Sequence, residues 1–254
     1  MGVDSGLPDF RGQTGFWNAY PAIARLGLSF AQMANPHWFQ RDPRLAWAFY
    51  GHRLNLYRNT QPHDGFTQLL KMAATKPAGG FVFTSNVDGH FQKADWSEQQ
   101  VAECHGSIHH LQCTRPCSPA IWSANGITLD IDPESFRVTG PMPTCPHCGA
   151  LARPNILMFG DGNWIEHRSA QQEQRLHQWL TRLHTERQPL VILEIGAGHA
   201  VPTIRVNSES IAARHQALLI RINPRDHDLP HARHVALACN GAAGIKALWQ
   251  KLHD

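Results

Sequence analysis

Hydrophobic and polar positions along the chain follow two alternating patterns. Nearly continuous apolar runs, each followed by glycine or a polar residue, occupy 81–84, 190–195, 217–222 and 236–239. Runs of this kind are typical of buried strands in a parallel sheet. Between them, apolar residues recur at three- and four-residue spacing over much of 16–76 and 166–186, which predicts amphipathic helices. The alternation favours an α/β fold.

The order of these elements predicts how the chain divides. We expect a Rossmann-like parallel sheet domain built from 1–103 and 154–254, with a helical insertion at 16–76. The stretch 104–153, which carries four cysteines, is expected to form a small metal-binding module. A chain of 254 residues suits one large domain with such an inserted module.

Polar residues follow the first predicted strand directly. Ser85, Asn86 and Asp88 come after the run 81–84, and His105 lies in a second polar cluster at 103–107. In open α/β sheets the loops at the carboxyl ends of strands bind the ligand. Since an imidazole titrates near neutrality, His105 can accept a proton from a hydroxyl. A purely structural histidine is the alternative from these residues alone.

Four cysteines form two close pairs separated by 27 residues. The pairs are Cys113 with Cys117, and Cys145 with Cys148. Two such pairs joined by a loop are the layout of a tetrahedral structural Zn²⁺ site. Cys104 and Cys239 are left over, and we expect both to be small buried residues.

Composition narrows the class of protein further. Apolar residues make up 42% and charged residues 17% of the chain, values typical of soluble globular proteins. The net charge of +3 gives no specific indication of nucleic-acid binding. No apolar run approaches the roughly 20 residues of a membrane span, and no secretory signal is seen. Paired thiols without a disulfide framework favour a reducing, cytoplasmic location.

Several motifs together identify a family. Thr-Ser-Asn-Val-Asp-Gly-His-Phe-Gln-Lys-Ala at 84–94, Cys-His-Gly at 104–106 and Ser-Gly-Leu-Pro-Asp-Phe-Arg-Gly at 5–12 resemble segments of the sirtuin (Sir2) family of NAD-dependent protein deacylases. The resemblance implies that Asn86 and Asp88 line the nicotinamide pocket. It also implies that His105 is the base that deprotonates a ribose hydroxyl. Ser85 is also an expected cofactor-binding residue, although it stands where the family has glutamine, so one ribose contact of the family is altered.

The same resemblance implies further contacts with NAD. The loop at 5–12 would contribute Asp9, Phe10 and Arg11, with Phe10 shielding the reacting sugar. Three more loops would contribute Gly196, Ala197, Gly198, Asn223 and Gly241. Gly-Ala-Gly at 196–198 stands where the family has Gly-Thr-Ser, so two hydroxyls are replaced and backbone contacts remain.

Residues for the substrate follow from the resemblance as well. The segment at 153–161 resembles the family's peptide-binding stretch, in which Phe159 and Gly160 would line the acyl-lysine tunnel. Tyr50 and Arg53 resemble a pair in the class III branch that binds the carboxylate of a succinyl or malonyl group. A guanidinium suits bidentate carboxylate binding, and a phenol adds a hydrogen bond.

The amino-terminal region departs from the family. Family members have an apolar strand and Gly-Ala-Gly ahead of the loop at 5–12, whereas this chain starts at Met1. We expect that Met1 is an internal methionine of a longer protein and that the first strand of the sheet is missing. Such a chain is expected to bind NAD weakly or not at all.

The implied reaction converts an acylated lysine and NAD to free lysine, nicotinamide and O-acyl-ADP-ribose. The expected cofactors are therefore NAD and Zn²⁺, and the expected partner is an acylated-lysine protein or peptide. Two alternatives remain open from the sequence. One is an NAD-consuming ADP-ribosyltransferase or NAD hydrolase, and the other is a non-enzymatic zinc-containing binding protein.

Overall fold

The computed structural model describes residues 1–9 and 13–252 and is a mixed α/β structure. Its α-helices are α1 (Gln13–Ala19), α2 (Pro21–Arg25), α3 (Phe30–Met33), α4 (Trp38–Arg41), α5 (Pro43–Asn59), α6 (Gly65–Ala74), α7 (His90–Lys93), α8 (His167–Thr185), α9 (Thr203–Arg214) and α10 (Gly241–Lys251). Its strands are β1 (Val82–Thr84), β2 (Val101–Glu103), β3 (Gly106–Cys113), β4 (Ile121–Ser123), β5 (Ile131–Asp132), β6 (Arg137–Val138), β7 (Ala152–Ile156), β8 (Val191–Ile195), β9 (Leu218–Ile222) and β10 (Val235–Leu237).

The predicted apolar runs form parallel strands, which confirms the Rossmann-like α/β prediction. Strands β8, β9 and β10 make one parallel sheet in the order β10-β9-β8, with Val191 opposite Leu218. Strands β1 and β2 make a second parallel pair, with Val82 opposite Val101. All five strands therefore have carboxyl ends that can carry ligand-binding loops.

Met1 lies between the β1–β2 pair and the β8–β10 sheet and contacts the apolar cluster of each. In the described part of the chain, β1 pairs only with β2, and β8 pairs only with β9. Met1 is partly buried and packs against the apolar cluster around Val82 and also against the cluster around Ile222. The parallel strands thus form two separate sheets, and Met1 packs against the side chains of both.

An antiparallel sheet carries the predicted metal module. Strand β3 pairs with β4 on one side and with β7 on the other, and β5 and β6 form a small hairpin. Strand β3 begins at Gly106, directly after His105, and β7 returns the chain beside it. The antiparallel sheet therefore starts at the predicted catalytic residue.

Helix α5 is the longest helix of the predicted helical insertion. Asp42 caps its first turn by accepting a hydrogen bond from the Leu45 N–H, and Pro43 occupies the first helical position. The helix is buried over most of its surface, and Trp47 donates its indole N–H to the Ala152 carbonyl of β7. This contact positions α5 against the sheet that begins at His105. Among the described helices, none has the length and apolar character needed to cross a membrane.

Candidate active site

His105 lies in a sharp connection between β2 and β3. Gly106 has a φ of +77°, and a Cβ there would lie 2.1 Å from the Asn155 carbonyl oxygen of β7. Only glycine fits this close approach of two backbones. The position after His105 is therefore dictated by the sheet, and it holds the imidazole at the end of the parallel strands.

The imidazole of His105 is half-buried and electrically neutral. Burial lowers its pKa from the ordinary value of 6.5, and a hydrogen bond with the Ser85 backbone partly opposes this shift. The Thr203 hydroxyl oxygen lies 3.5 Å from Nε2 of the ring. A neutral ring at pH 7 is the form that can accept a proton. The structure thus brings His105, Ser85 and Thr203 together.

Thr203 was missed by sequence reasoning. It begins α9, and it lies 98 residues from His105 along the chain. The available signal was a hydroxyl residue shortly after the Gly196–Gly198 loop, at the start of a predicted helix. That signal alone indicates a helix terminus, and it says nothing about proximity to an imidazole.

A cavity of about 560 Å³ opens beside His105 and Thr203. Its walls come from β1, from the chain directly after β7 and from α8 and α9, and include Phe83, Leu157, Glu173, Val206 and Ser210. Cys104 also lines it, but burial raises the pKa of this thiol to about 12, so it is not a thiolate at neutral pH. Cys104 is buried, as expected, whereas Cys239 is only partly buried, which corrects the expectation that both are buried.

The loop after β1 is docked on β3. The Val87 carbonyl accepts a hydrogen bond from the Ile108 N–H, and the Asp88 carbonyl bonds Nε2 of His109 at 2.9 Å. The buried Asp88 carboxylate accepts a hydrogen bond from the His90 N–H, which shapes the start of α7. The Asn86 N–H donates to the Thr84 hydroxyl. Asn86 and Asp88 therefore lie in a loop that is held against the strand after His105.

Loops at the carboxyl ends of β8 and β9 contact each other. Gly196 has a φ of +68°, and its N–H donates to the Ile222 carbonyl. The buried Asn223 amide donates to the Ala197 carbonyl at 2.7 Å, and its oxygen accepts from the N–H groups of Arg225 and Asp226. Three predicted cofactor residues, Gly196, Ala197 and Asn223, are thus brought together. Gly198 follows them in the same loop.

Two further predicted residues lie close to these loops. Gly241 begins α10, where a Cβ would lie 2.9 Å from both Ile195 Cγ2 and Asp4 Oδ2. Asp9 forms an ion pair with Arg225, with 3.2 Å between Oδ2 and Nη2. This pair links the amino-terminal loop to the loop after β9. Phe10 and Arg11 lie outside the described residues. The remaining predicted loops therefore converge on one edge of the β8–β10 sheet.

The predicted acyl-binding pair lies on α5 in an aromatic cluster. The Arg53 guanidinium lies over the rings of Phe30, Phe49, Tyr50 and Tyr57, at 5.3 to 5.9 Å from their centroids. Burial raises the pKa of Tyr50 to about 12, so its hydroxyl stays protonated. Within the described residues, that buried hydroxyl has no hydrogen-bond partner.

Phe159 connects this cluster to the surface. Its ring is 43% exposed and packs edge-on against Phe30 at 6.3 Å between centroids. Its N–H donates to the Ala34 carbonyl, and Gly160, with a φ of +69°, turns the chain directly afterwards. A row of ring contacts therefore connects exposed Phe159 through Phe30 to Arg53.

The four predicted zinc ligands come together in space. The Sγ atoms of Cys113, Cys117, Cys145 and Cys148 all lie within 4.8 Å of one another. Cys113 and Cys148 are 3.7 Å apart, and Cys117 and Cys145 are 3.6 Å apart. Four sulfurs bound to tetrahedral Zn²⁺ at about 2.3 Å are about 3.8 Å apart. The cluster therefore has the donor set and size of a structural zinc site.

Comparisons with known proteins relate this chain to one family. A model of the Sir2 family matches residues 1–179. A protein of Aquifex aeolicus (strain VF5) described as an NAD-dependent protein deacylase is 25% identical over 259 aligned positions, covering 100% of this chain and 92% of that protein. A Pyrococcus furiosus protein of the same description is 32% identical over 164 residues, which span 63% of this chain and 58% of that protein.

A solved structure shows the same fold. It is a mutant Sir2 homologue in complex with ADP-ribose, with a TM-score of 0.70 and 23% sequence identity. The match covers 99% of this chain and 87% of that chain. Since the family model spans well over half of the sequence, this chain belongs to the Sir2 family.

Proposed function

We propose that the protein is an NAD-dependent protein-lysine deacylase. The observation that carries the proposal is the neutral His105 imidazole in the wall of a cavity, between the Ser85 backbone and the Thr203 hydroxyl. The relatives described as NAD-dependent protein deacylases support the same activity. The products are free lysine, nicotinamide and O-acyl-ADP-ribose.

The loops after β8, β9 and β10 are proposed to hold NAD. The Gly196–Gly198 loop consists of three small residues and precedes α9. The N-terminus of a helix after such a loop favours phosphate groups, because its free N–H groups point toward them. The Asn223 amide nitrogen joins the two loops, and its oxygen shapes the loop after β9, so it acts by positioning them. Gly241 leaves room beside Ile195, and Asp9 with Arg225 closes the same edge. Bound NAD would supply the ribose carbon that accepts the acyl oxygen and the nicotinamide that leaves.

His105 is proposed to be the general base. Its neutral ring accepts the proton of a ribose hydroxyl, which can then attack the acyl carbon. Ser85 orients the ring through its backbone, and Thr203 lies at Nε2, where the proton arrives. Asn86 and Asp88 are proposed to line the nicotinamide pocket, since both lie in the loop that is docked beside His105.

The acyl-lysine is proposed to enter past Phe159 and Gly160 and to reach Tyr50 and Arg53. The path of aromatic rings from Phe159 to Arg53 supports this route. A buried phenol without a partner among the described residues, next to a guanidinium, suits the carboxylate of a succinyl or malonyl group. We therefore propose a preference for acidic acyl groups over acetyl.

The cysteine cluster supports two further proposals. Residues 104–153 are proposed to form the zinc module, since all four ligands lie within it. Zinc ligation needs thiolates that are not oxidised, so we also propose a cytoplasmic location.

The test is incubation with NAD and lysine peptides of one sequence carrying acetyl, succinyl or malonyl groups. We expect O-acyl-ADP-ribose, and an at least roughly hundredfold lower rate for His105→Ala. The matched control is His215→Ala, which removes an imidazole at the end of α9, outside the proposed site. Formation of ADP-ribose alone would indicate an NAD hydrolase, and no NAD consumption would indicate a binding protein.

A further inference from the structure

Arg53 and Tyr57 lie one turn apart on α5 and are joined by two hydrogen bonds. Nε of Arg53 donates to the Tyr57 hydroxyl oxygen at 3.0 Å, and Nη2 donates to the same atom at 2.8 Å. Both side chains are buried, with exposed fractions of 6% and 4%. The phenol oxygen thus sits in the fork of the guanidinium, where the two donors fix the plane of the cation.

Tyr57 also contacts Arg53 through its ring. The guanidinium carbon lies 5.5 Å from the Tyr57 ring centroid and 5.3 Å from that of Phe49. Aromatic faces attract a guanidinium without supplying a negative charge. Ring contacts restrain the position of the cation, whereas the two hydrogen bonds restrain its rotation.

The charge state of Tyr57 matters for what Arg53 can bind. Burial raises the pKa of Tyr57, the nearby Arg53 cation opposes this, and the charge of Asp88 adds to it. The phenol therefore stays protonated and neutral at physiological pH. A neutral acceptor orients the guanidinium without neutralising it, whereas a carboxylate in the same place would form an ion pair with it.

We propose that Tyr57 is a positioning residue for the recognition of acidic acyl groups, because its neutral hydroxyl orients the Arg53 guanidinium without cancelling the positive charge that a substrate carboxylate would bind. The inference rests on the proposed function of Arg53 as the acyl-binding cation. A side chain already held in one orientation loses less conformational freedom when it binds, so affinity is higher. Without the hydroxyl, two buried N–H groups lose their acceptor and the guanidinium turns to satisfy them elsewhere.

The experiment measures peptide affinity directly, on the full chain and without NAD. Titration calorimetry compares two peptides of identical sequence, one with succinyl-lysine and one with acetyl-lysine. For Tyr57→Phe we expect about tenfold weaker binding of the succinyl peptide and an acetyl affinity within about twofold of the wild type. Arg53→Met is expected to abolish the difference between the two peptides.

A matched control distinguishes the hydroxyl of Tyr57 from tyrosines in general. Tyr20 lies in the same aromatic cluster, and its hydroxyl is 3.3 Å from Nδ1 of His52. Tyr20→Phe is expected to keep the succinyl preference. Thermal unfolding of each variant checks that it folds, and the phenylalanine ring preserves the packing of the cluster.

Two results would overturn the inference, and they differ. A wild-type chain that binds both peptides equally, or neither, contradicts the acidic-acyl assignment of Arg53 and the role of Tyr57 with it. A wild-type chain that prefers the succinyl peptide, with a Tyr57→Phe variant that keeps this preference, leaves the proposed function in place and removes Tyr57 from it.

Discussion

Glu194 and Arg221 are direct register partners on the parallel strands β8 and β9, and their side chains form a buried ion pair. Nε of Arg221 lies 2.5 Å from Oε1 of Glu194, and Nη2 lies 2.9 Å from Oε2. Arg221 also donates to Glu209 and to the Asp228 carbonyl beyond the end of β9. One guanidinium therefore joins two strands and the loop that carries Asn223.

Removing the charge of Glu194 is expected to destabilise the protein strongly. Glu194→Gln leaves the buried Arg221 with only the half-exposed Glu209 as a charged partner in the described structure, and breaking a buried pair on one side costs about 3–5 kcal/mol. The measurement is the free energy of unfolding from urea titration. Glu209→Gln is the control, expected to cost about 1 kcal/mol or less because that carboxylate is partly solvated. Equal losses for the two variants would contradict this account.

The turn after His105 is expected to tolerate no side chain. Gly106→Ala combines a positive φ, which costs about 1–2 kcal/mol, with a Cβ placed 2.1 Å from the Asn155 carbonyl oxygen. We expect a loss of more than about 3 kcal/mol in the free energy of unfolding. Gly126→Ala is the matched control, since Gly126 has a similar φ of +79° and nothing within 4 Å of its Cβ position. A Gly106→Ala loss no larger than the control loss would show that the close approach is unimportant.

The pH dependence of turnover should report the ionisation of His105. Burial lowers the pKa of this imidazole, so the proton-accepting neutral form is present above that pKa and is lost as the pH falls through it. We expect kcat/KM to fall on the acid side with a midpoint below 6.5, the ordinary value for histidine. A midpoint above 6.5, or an acid limb that persists in His105→Ala, would exclude this assignment.

Thr203 should influence the same acid limb. Its hydroxyl is 3.5 Å from Nε2 of His105, so Thr203→Val removes a polar neighbour of the base without changing the size of the side chain. We expect a change in the midpoint of the pH profile and about a two- to fivefold lower kcat, as suits a weak hydrogen bond. Thr203→Ser keeps the hydroxyl and is expected to restore both quantities. Identical pH profiles for the valine and serine variants would argue against a role for the hydroxyl.

Zinc removal should unfold the module built on β3 and β7. Metal analysis of the purified protein is expected to find about one Zn²⁺ per chain, and Cys145→Ser is expected to lower this value and the unfolding temperature, because metal binding contributes directly to folding. Cys239→Ser is the control. Because Cys239 lies outside the cluster, this variant should retain its zinc. A Cys145→Ser protein with full zinc content would contradict the four-cysteine site.

Local signals in the sequence located most of the elements. The predicted strand at 190–195 corresponds to β8 (Val191–Ile195), and the predicted helix at 166–186 corresponds to α8 (His167–Thr185). The helix prediction succeeds because its periodicity reflects which side of the helix is buried. Strand β8 forms as predicted but is less buried than its continuous apolar run indicates, since Val191 is exposed and Glu194 is the one fully buried residue of the strand. The same signals could not reveal that the parallel strands form two sheets in the described chain, since pairing depends on which edges meet in space.

For this protein, the sequence alone determined which chemical groups are present. Residue type and spacing reveal the four cysteines, the imidazole followed by glycine, and the polar residues after each strand. Only the tertiary structure decided which groups act on one another. Thr203 lies beside His105 although 98 residues separate them, and Arg221 reaches Glu194 and the loop after β9 at once. The order of residues specifies local periodicity and donor type, whereas distances between remote side chains follow from how helices and sheets pack around a common core.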